Sequence, residues 1–384
     1  MFNDSQKSQD PKINRREFLA GSIGSASAII AHNNQSSFGN SRNRKSIHTV
    51  LGSIDPYRAG VILTHEHAPT VDWSELYQTK PAPIASKKIL EATSALLNLF
   101  YNVLGKLDKP GTIVEATPIR VGRYPHLLVQ LARMTRVQIV ACTGFWCEAF
   151  APQHPWALTM SLKRGGINEM TKLFVREITE GMEDPKFSWG EKFTNIRAGA
   201  IKIGTSTYLR PSERAVHEAA AAASKETGCP ILTHTTNGGG LEEARLLIRS
   251  GVDPKKLMIG HQGHMDDRKN EEANEYHIKI ADLGCYLQFD RVGSENYNFA
   301  KQARQVKFLV SKGFLRRIVV SHDHVPYFYG NYMKVEKGID GWRKGNPDYT
   351  LVSKKLVTSL KKLDMSDSEI RTILVENPQR CLAF

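Results

Sequence analysis

The sequence contains little cysteine and no apolar stretch long enough to cross a membrane. Its 384 residues include five cysteines, an odd and small number that argues against a scaffold held together by disulfide bonds. Three of them, Cys142, Cys229 and Cys285, lie in or beside predicted strands, where we expect small buried hydrophobic side chains. The longest weakly apolar run near the start, residues 21–31, is too short and too rich in Gly, Ala and Ser for a membrane span. We therefore expect no stable membrane insertion.

Several sequence motifs that would identify other protein classes are also missing. No GxGxxG follows the first predicted strand, which removes the main support for a dinucleotide-binding fold. No GxSxG indicates a serine hydrolase, and no zinc finger, RNA-binding signature or basic helix indicates nucleic-acid binding. The net charge of +13 comes from Lys and Arg residues that are spread along the chain and interleaved with acids. This pattern favours a solvated basic surface over a nucleic-acid partner.

The start of the chain carries an export-like pattern. Residues 14–20 read NRREFLA, a pair of arginines followed by hydrophobic residues, and the Gly/Ala/Ser-rich stretch comes directly after them. This pattern resembles a twin-arginine signal peptide, predicted here for residues 1–31 and followed by a linker at 32–46. The alternative is a disordered basic tail. An exported protein would work in the periplasm or outside the cell, and the predicted hydrolase domain would occupy residues 47–384.

After the linker, short apolar segments alternate with stretches of helical character. Ser86–Leu104 and Ser212–Thr227 are predicted helices, the latter capped by Ser212. The predicted strands are residues 60–65, 111–116, 137–143, 198–204, 230–234, 257–260, 284–290 and 317–321. Eight alternating units favour an α/β fold with a closed parallel sheet, the (β/α)8 TIM barrel, over an open doubly wound sheet.

Six side chains able to take part in a metal site stand at the C-terminal ends of these predicted strands. They are His65, His67, Lys202, His234, His261 and Asp323. His65 and His67 are two residues apart, so on an extended chain both side chains point to the same side. The C-terminal mouth of a (β/α)8 barrel is where its active site is built, and imidazoles with a carboxylate are the donors of a binuclear metal centre. Taken singly, each histidine is more often structural, and Asp323 alone is compatible with a turn cap.

Lys202 is unusual because it lies within an apolar strand, AIKIG, where an unpaired ammonium group is costly to bury. One interpretation is a lysine that reaches the barrel mouth or pairs with a carboxylate. The other is carbamylation by carbon dioxide, which converts the amine into a carboxylate-like group able to bridge two metal ions. His322 and His324 flank Asp323, but strand alternation places both on the opposite side, so they are not expected to be ligands.

These motifs together resemble the phosphotriesterase family of the amidohydrolase superfamily. The resemblance runs from about residue 50 to residue 384 and is carried by LTHEH (63–67), GTIVE (111–115), ACTGFW (141–146), IRAGAIK (196–202), THT (233–235), IGH (259–261), SHD (321–323) and ENP (376–378). It implies a (β/α)8 barrel whose members are often homodimers. It also implies that His65, His67 and Asp323 hold one divalent ion, that His234 and His261 hold a second, and that carbamylated Lys202 and a hydroxide bridge the two. Zinc is expected, and manganese, cobalt or iron would accept the same donors.

The chemistry that follows is hydrolysis. Two ions lower the pKa of a shared water and polarise a P=O or C=O bond, hydroxide attacks, and Asp323 takes up a proton. Asp323 and Lys202 are therefore the predicted catalytic residues. The substrate is set by less specific features: Trp146, Arg291 and His264 are candidate substrate-binding residues. The segment 290–293, Asp-Arg-Val-Gly, resembles the lactonase branch, whereas a histidine stands at the Arg291 position in phosphotriesterases proper.

The sequence leaves several functions open. The first is hydrolysis of a small-molecule lactone or other carboxylic ester, with weak promiscuous phosphotriesterase activity. The second keeps the metal centre but makes the protein an organophosphate hydrolase proper or a hydrolase of amides or phosphoesters. This alternative is motivated by His264 and Arg291. An acid usually stands at the position of His264 in both branches, so the usual proton exit beyond Asp323 is altered. His264 and Arg291 are instead compatible with recognition of an anionic group, and Arg291 with a salt bridge to an acid at the barrel mouth. A more distant alternative is a periplasmic binding protein on an inactive barrel.

Overall fold

Eight parallel strands form the centre of the fold. The computed structural model describes residues 45–72, 86–104, 110–146, 153–236, 238–264, 270–294, 297–329 and 348–384. The strands, numbered along the chain, are β1 (Ile62–Glu66), β2 (Thr112–Glu115), β3 (Gln138–Thr143), β4 (Ala200–Gly204), β5 (Ile231–His234), β6 (Leu257–Ile259), β7 (Tyr286–Phe289) and β8 (Ile318–Val320). Each strand pairs in parallel with the next, so sequence order and spatial order agree from β1 to β8.

The two edge strands of this sheet meet each other. The main-chain N–H of Asp323, just after β8, donates to the carbonyl of His65 in β1 at 2.9 Å. The N–H of His65 donates to the Ser321 hydroxyl, also at 2.9 Å. The Glu66 carboxylate accepts from the same hydroxyl at 2.6 Å. These bonds close the sheet, and the predicted (β/α)8 barrel is confirmed.

The inside of the barrel is filled with side chains. One buried cluster takes a residue from every strand: Ile62, Val114, Val140, Ala200, Leu232, Met258, Tyr286 and Val319. A second, larger apolar cluster includes the strand residues between these and the residues of the surrounding helices. Because the barrel is packed rather than hollow, polar chemistry is confined to its ends.

Between β1 and β8, the described residues contain eight α-helices. They are α1 (Ser86–Leu104), α2 (Pro125–Met134), α3 (Pro155–Leu162), α4 (Gly166–Thr179), α5 (Pro211–Thr227), α6 (Gly240–Arg249), α7 (Asn270–Asp282) and α8 (Phe299–Ser311). None of the helices in this part of the chain is long and apolar enough to span a membrane. The predicted bounds of α1 agree with the structure.

The prediction for the start of α5 was wrong by two positions. The N-cap is Arg210 rather than Ser212, because Pro211 occupies the first helical turn with its fixed φ and needs no amide hydrogen bond. The Glu213 side chain accepts from the Arg210 N–H at 3.0 Å and from the Ser206 hydroxyl. The prediction assigned the cap to Ser212 and overlooked Pro211, which places this serine inside the helix.

Several elements lie outside the eight predicted units. Residues Ile47–Thr49 and Gly52–Ile54 form an antiparallel hairpin, and Val71–Asp72 pairs in parallel with Phe328–Tyr329. The C-terminal residues after β8 also form helices, the last of them at Asn377–Leu382. The predicted signal peptide and most of the predicted linker fall on residues 1–44, outside the described residues. Cys142, Cys229 and Cys285 are buried free thiols, as predicted.

Candidate metal centre

The six predicted site residues converge at the C-terminal mouth of the barrel. Nζ of Lys202 in β4 lies 2.9 Å from Nε2 of His65 in β1. Nε2 of His67 lies 3.2 Å from Oδ1 of Asp323. Nε2 of His261, after β6, lies 2.6 Å from Nδ1 of His234 at the end of β5. All six side chains are buried. Five different strands therefore contribute to one cluster, as the strand-end pattern predicts.

Left-handed backbone conformations follow three of the strands. His261, Arg291 and Asp323 have φ values of 58°, 62° and 52°, which are uncommon for residues other than glycine. Each residue stands two or three positions after the end of β6, β7 or β8, where the chain turns out of the sheet. Strain of this kind persists where the surrounding contacts over-determine it, and it is concentrated at functional sites.

Asp290 joins two of the histidines. Its Oδ2 accepts from Nδ1 of His65 at 2.7 Å, and its Oδ1 accepts from Nδ1 of His261 at 2.8 Å. The main-chain N–H of His261 donates to the same carboxylate at 3.1 Å. Burial alone would raise the pKa of Asp290, but the His261 and His65 imidazoles hold this pKa well below its ordinary value. The ionised carboxylate keeps the proton of each ring on Nδ1, so Nε2 of each ring presents a lone pair to the site.

Burial keeps the imidazoles of His67, His234 and His261 neutral. It lowers the pKa of His67 and places that of His234 well below its ordinary value. Burial, reinforced by the charge of Arg291, lowers the pKa of His261 to about 3. A neutral imidazole is the form that binds a metal ion. The site therefore presents unprotonated ring nitrogens at neutral pH.

The arrangement of these donors fits divalent cations. The donor atoms of His65, His67 and Asp323 all lie within 4.8 Å of one another, as do those of His65, His261 and Asp290. Oδ1 of Asp323 carries a lone pair, and so does Nε2 of a neutral His67 whose proton is on Nδ1, so that tautomer would hold a cation between the two atoms. Nitrogen and oxygen donors of this kind suit zinc and its neighbours in the first transition row.

Lys202 is the buried amine at the centre of the cluster. Burial lowers its pKa, which favours the uncharged amine over the ammonium form. The uncharged amine is the form that reacts with electrophiles, including carbon dioxide. Nζ also lies 3.4 Å from the carbonyl of Thr233. The environment is thus one in which the modification predicted for Lys202 is chemically accessible.

The candidate substrate-binding residues occupy different places. The Trp146 ring lies 4.7 Å from the His234 ring, centroid to centroid, beside the site. Arg291 donates from Nε to Oδ2 of Asp323 at 3.2 Å, so the barrel-mouth acid considered as its partner is Asp323 itself. His264 ends the short helical turn Gln262–His264, and its side chain lies outside the described atoms.

Sequence reasoning missed the contacts that Glu66 makes. Its side chain faces away from the metal donors and accepts from the main-chain N–H of His322 at 2.9 Å and of His324 at 3.0 Å. Nδ1 of His322 lies 2.8 Å from the same carboxylate. The exclusion of His322 as a ligand agrees with this contact. The available signal was an acid between two histidines at a strand end, because strand alternation places it on the side opposite the two imidazoles.

Comparison with known proteins gives a consistent result. A sequence model of the phosphotriesterase family matches residues 45–382. The chain is 30% identical over 343 residues to a phosphotriesterase homology protein of Mycobacterium tuberculosis, covering 87% of this chain and 96% of the relative. It is 28% identical over 375 residues to the N-acetyltaurine hydrolase of Mus musculus, covering 88% and 98%.

Solved structures of similar fold include an organophosphorus hydrolase and a lactonase. The organophosphorus hydrolase of Deinococcus radiodurans superposes with a TM-score of 0.71 at 25% identity, over 88% of this chain and 96% of that one. A weak promiscuous lactonase used as a template for engineering organophosphate hydrolysis superposes with a TM-score of 0.74 at 26% identity, over 88% and 99%.

Proposed function

Because this chain belongs to the phosphotriesterase family, we propose that it is a metal-dependent hydrolase that cleaves a lactone or another carboxylic ester. The family predicted from the sequence motifs is confirmed, and with it a hydrolase on a (β/α)8 barrel. The choice of a carboxylic ester rests on one observation. Arg291 follows Asp290 in the Asp-Arg-x-Gly pattern of the lactonase branch and bonds to Asp323, the predicted proton acceptor.

We assign the metal donors residue by residue. His65, His67 and Asp323 would hold one divalent ion, His234 and His261 the other, and carbamylated Lys202 would bridge them. Two such ions supply an activated water and polarise the scissile carbonyl oxygen. Zinc is the proposed metal, with manganese, cobalt or iron as alternatives. The assignment is supported by the donor atoms of His65, His67 and Asp323, which all lie within 4.8 Å of one another.

The remaining tasks fall to side chains of the barrel mouth. Asp323 would accept the proton that the attacking water loses, since its carboxylate is placed between His67 and Arg291. Arg291 would hold that carboxylate in one orientation through its charge-assisted hydrogen bond. Trp146, next to His234, would form an apolar wall beside the scissile bond. His264 remains a proposed contact for the polar part of the substrate.

Amide hydrolysis is the second candidate, and one comparison favours it. Relatives that cover 88% of this chain are named N-acetyltaurine hydrolase, so the same fold and family accommodate an amide. A carbonyl carbon is the reacting atom in both cases, and the difference lies in the leaving group. A phosphotriester is the third candidate, supported by the organophosphorus hydrolase structures.

A substrate panel decides among these candidates. Zinc-loaded protein is assayed against acyl lactones, N-acetyltaurine and an aryl dialkyl phosphate, and kcat/KM values are compared with those of an Asp323→Asn variant as the background. The proposal predicts the highest kcat/KM on a lactone, lost in the variant. A higher value on the amide or on the phosphotriester would reverse the ranking, and no turnover of any of them by metal-loaded protein would support a binding function.

Two further proposals concern the whole protein. We propose that residues 1–31 direct export by the twin-arginine route to the periplasm or beyond, on the strength of Arg15 and Arg16 before the apolar stretch. Changing both to lysine should leave the protein in the cytoplasmic fraction.

We also propose a homodimer, which light scattering of the purified protein would test.

A further inference from the structure

His67 has a hydrogen-bond partner on the side of its ring that faces away from the site. Nδ1 of His67 lies 2.8 Å from Oγ1 of Thr117, in the segment after β2. The Thr117 hydroxyl in turn donates to Oε1 of Glu115 at the end of β2. The main-chain N–H of Ala68, next to His67, donates to the same oxygen at 3.2 Å. The Thr117 and Glu115 side chains are buried.

The direction of this chain of hydrogen bonds is fixed by counting protons. A threonine hydroxyl has one proton to donate, and Oε1 of Glu115 takes it. Burial raises the pKa of Glu115 to about 8, but a proton on this carboxyl would lie on Oε2, because Oε1 already accepts the main-chain N–H of Ala68. The Thr117 oxygen can then only accept from the ring, so the proton of a neutral His67 must lie on Nδ1. Nε2, which faces Asp323 at 3.2 Å, consequently carries the lone pair. If the hydroxyl donated to Nδ1 instead, Nε2 would carry the proton and His67 could not bind a metal ion through it.

We propose that Glu115 and Thr117 are positioning residues that set the tautomer of His67 for metal binding. They would do for His67 what Asp290 does for His65 and His261, with a hydroxyl inserted between carboxylate and ring. The inference rests on the proposed metal-binding role of His67. Glu115, at the end of β2, is not one of the six predicted site residues, and the inference gives it a role in orienting one of them.

The geometry separates this role from simple packing. Oε1 of Glu115 receives both hydrogen bonds, whereas Oε2 has no hydrogen-bond partner among the described residues. A glutamine at this position keeps an accepting oxygen for Thr117, while leucine of similar size removes it. Serine at position 117 keeps the hydroxyl, while isosteric valine removes it. Each position thus offers a conservative variant and a disruptive one.

The test measures metal affinity rather than activity alone. Wild-type protein and the four variants Glu115→Gln, Glu115→Leu, Thr117→Ser and Thr117→Val are loaded with zinc and titrated with a chelator, and cobalt-loaded samples are followed by visible absorption. Loss of a residue that orients a metal-binding histidine typically lowers metal affinity about 10- to 100-fold. We expect that loss, with a changed cobalt spectrum, in the leucine and valine variants, and affinities near wild type in the glutamine and serine variants.

Thr112→Val is the matched control. Thr112 is buried and its hydroxyl donates to the carbonyl of Ala59, so valine there removes a buried hydrogen bond without touching His67. Its zinc affinity should remain that of wild type even if the protein unfolds at a lower temperature. For any variant that fails to fold, ¹⁵N-histidine NMR of the wild-type protein reads the tautomer of His67 directly, with the signal assigned by a His67→Gln sample.

The outcomes are distinguishable. Equal zinc affinity and equal cobalt spectra in Thr117→Val, Glu115→Leu and wild type would overturn the inference, as would a proton on Nε2 of His67. If wild-type protein binds neither zinc nor cobalt, the proposed function itself fails. Parallel losses in Thr117→Ser and Thr117→Val would overturn it too, by showing that packing rather than the hydroxyl is what His67 requires.

Discussion

Nζ of Lys202 lies 2.9 Å from Nε2 of His65, although four residues of strand β4 around it are apolar or glycine. A charged ammonium group would repel any cation held by His65, whereas a carbamate would attract one. The short contact therefore makes the chemical state of Lys202 decisive for the proposed site.

We predict that Lys202→Arg is as defective as Lys202→Ala. Arginine keeps the positive charge but forms no stable carbamate, so both variants should lose about 100-fold or more in activity together with bound metal. Lys202→Glu supplies a carboxylate directly and should retain more zinc than either. Metal analysis and kcat on the best substrate measure this, and an active, metal-replete arginine variant would rule out the carbamate.

Asp290→Asn is predicted to weaken metal binding through the two histidines that Asp290 orients. An amide has one accepting oxygen, so it cannot accept from Nδ1 of both His65 and His261. Zinc affinity should fall about 10- to 100-fold. Asp184→Asn is the control, since the Asp184 carboxylate pairs with the partly exposed His126 and accepts from the Lys186 main-chain N–H. An unchanged chelator titration for Asp290→Asn would contradict the orienting role.

Arg291→Met should reduce turnover more than metal content. The charge-assisted hydrogen bond from Nε to Asp323 is of the order of 1.5–3 kcal/mol, which corresponds to a fall of about 10- to 100-fold in kcat/KM. Zinc content should remain near that of wild type, because Arg291 is not a metal ligand. Arg291→Lys serves as the partial replacement with intermediate turnover. Loss of zinc in Arg291→Met with no effect on metal-restored activity would contradict the assigned role.

His154 is predicted to make the fold sensitive to acid. Burial among aromatic rings, with the charge of Arg120, lowers its pKa from 6.5 to about 4. As pH falls from about 6.5 to 4, the unfolded chain binds a proton there and the folded chain does not, so stability decreases through that window. The loss is about 1–3 kcal/mol.

The His154→Asn variant isolates this contribution. The asparagine side chain can still accept a hydrogen bond from the Trp156 N–H in the first turn of helix α3. Unlike histidine, asparagine does not titrate. Denaturant unfolding at pH 7.5 and pH 4.5 should show a smaller pH-dependent loss for the variant than for wild type, whatever its absolute stability. Equal losses in the two proteins would contradict a buried neutral His154.

The fold was accessible from the sequence because its signals are local. Each strand is a short apolar run, and the runs alternate with helical stretches such as Ser86–Leu104, whose predicted bounds agree with the structure. The hairpin at 47–54 was missed because its three-residue strands contain Gly52 and Ser53 and show no apolar alternation. The start of helix α5 was misplaced because Ser212 is a typical capping residue, whereas Pro211 takes the first helical position and leaves both residues inside the helix.

The site was accessible in part. The predicted metal ligands could be recognised as polar residues at strand ends, and the structure brings the six predicted site residues together. Asp290 and Glu66 were not recognised, since their partners are as much as 258 residues away along the chain. Asp323 has a left-handed backbone conformation, which the alternation of side chains along a strand does not predict. The same alternation correctly placed His322 on the side opposite the predicted metal ligands.

Anomalous X-ray diffraction from crystals of zinc-supplemented protein tests the central claim most directly. The account predicts two peaks at the barrel mouth, one among His65, His67 and Asp323 and one between His234 and His261, with extra density on Nζ of Lys202 bridging them. Crystals grown with zinc and bicarbonate that show no peak among these residues, and a bare Lys202 amine, would contradict it.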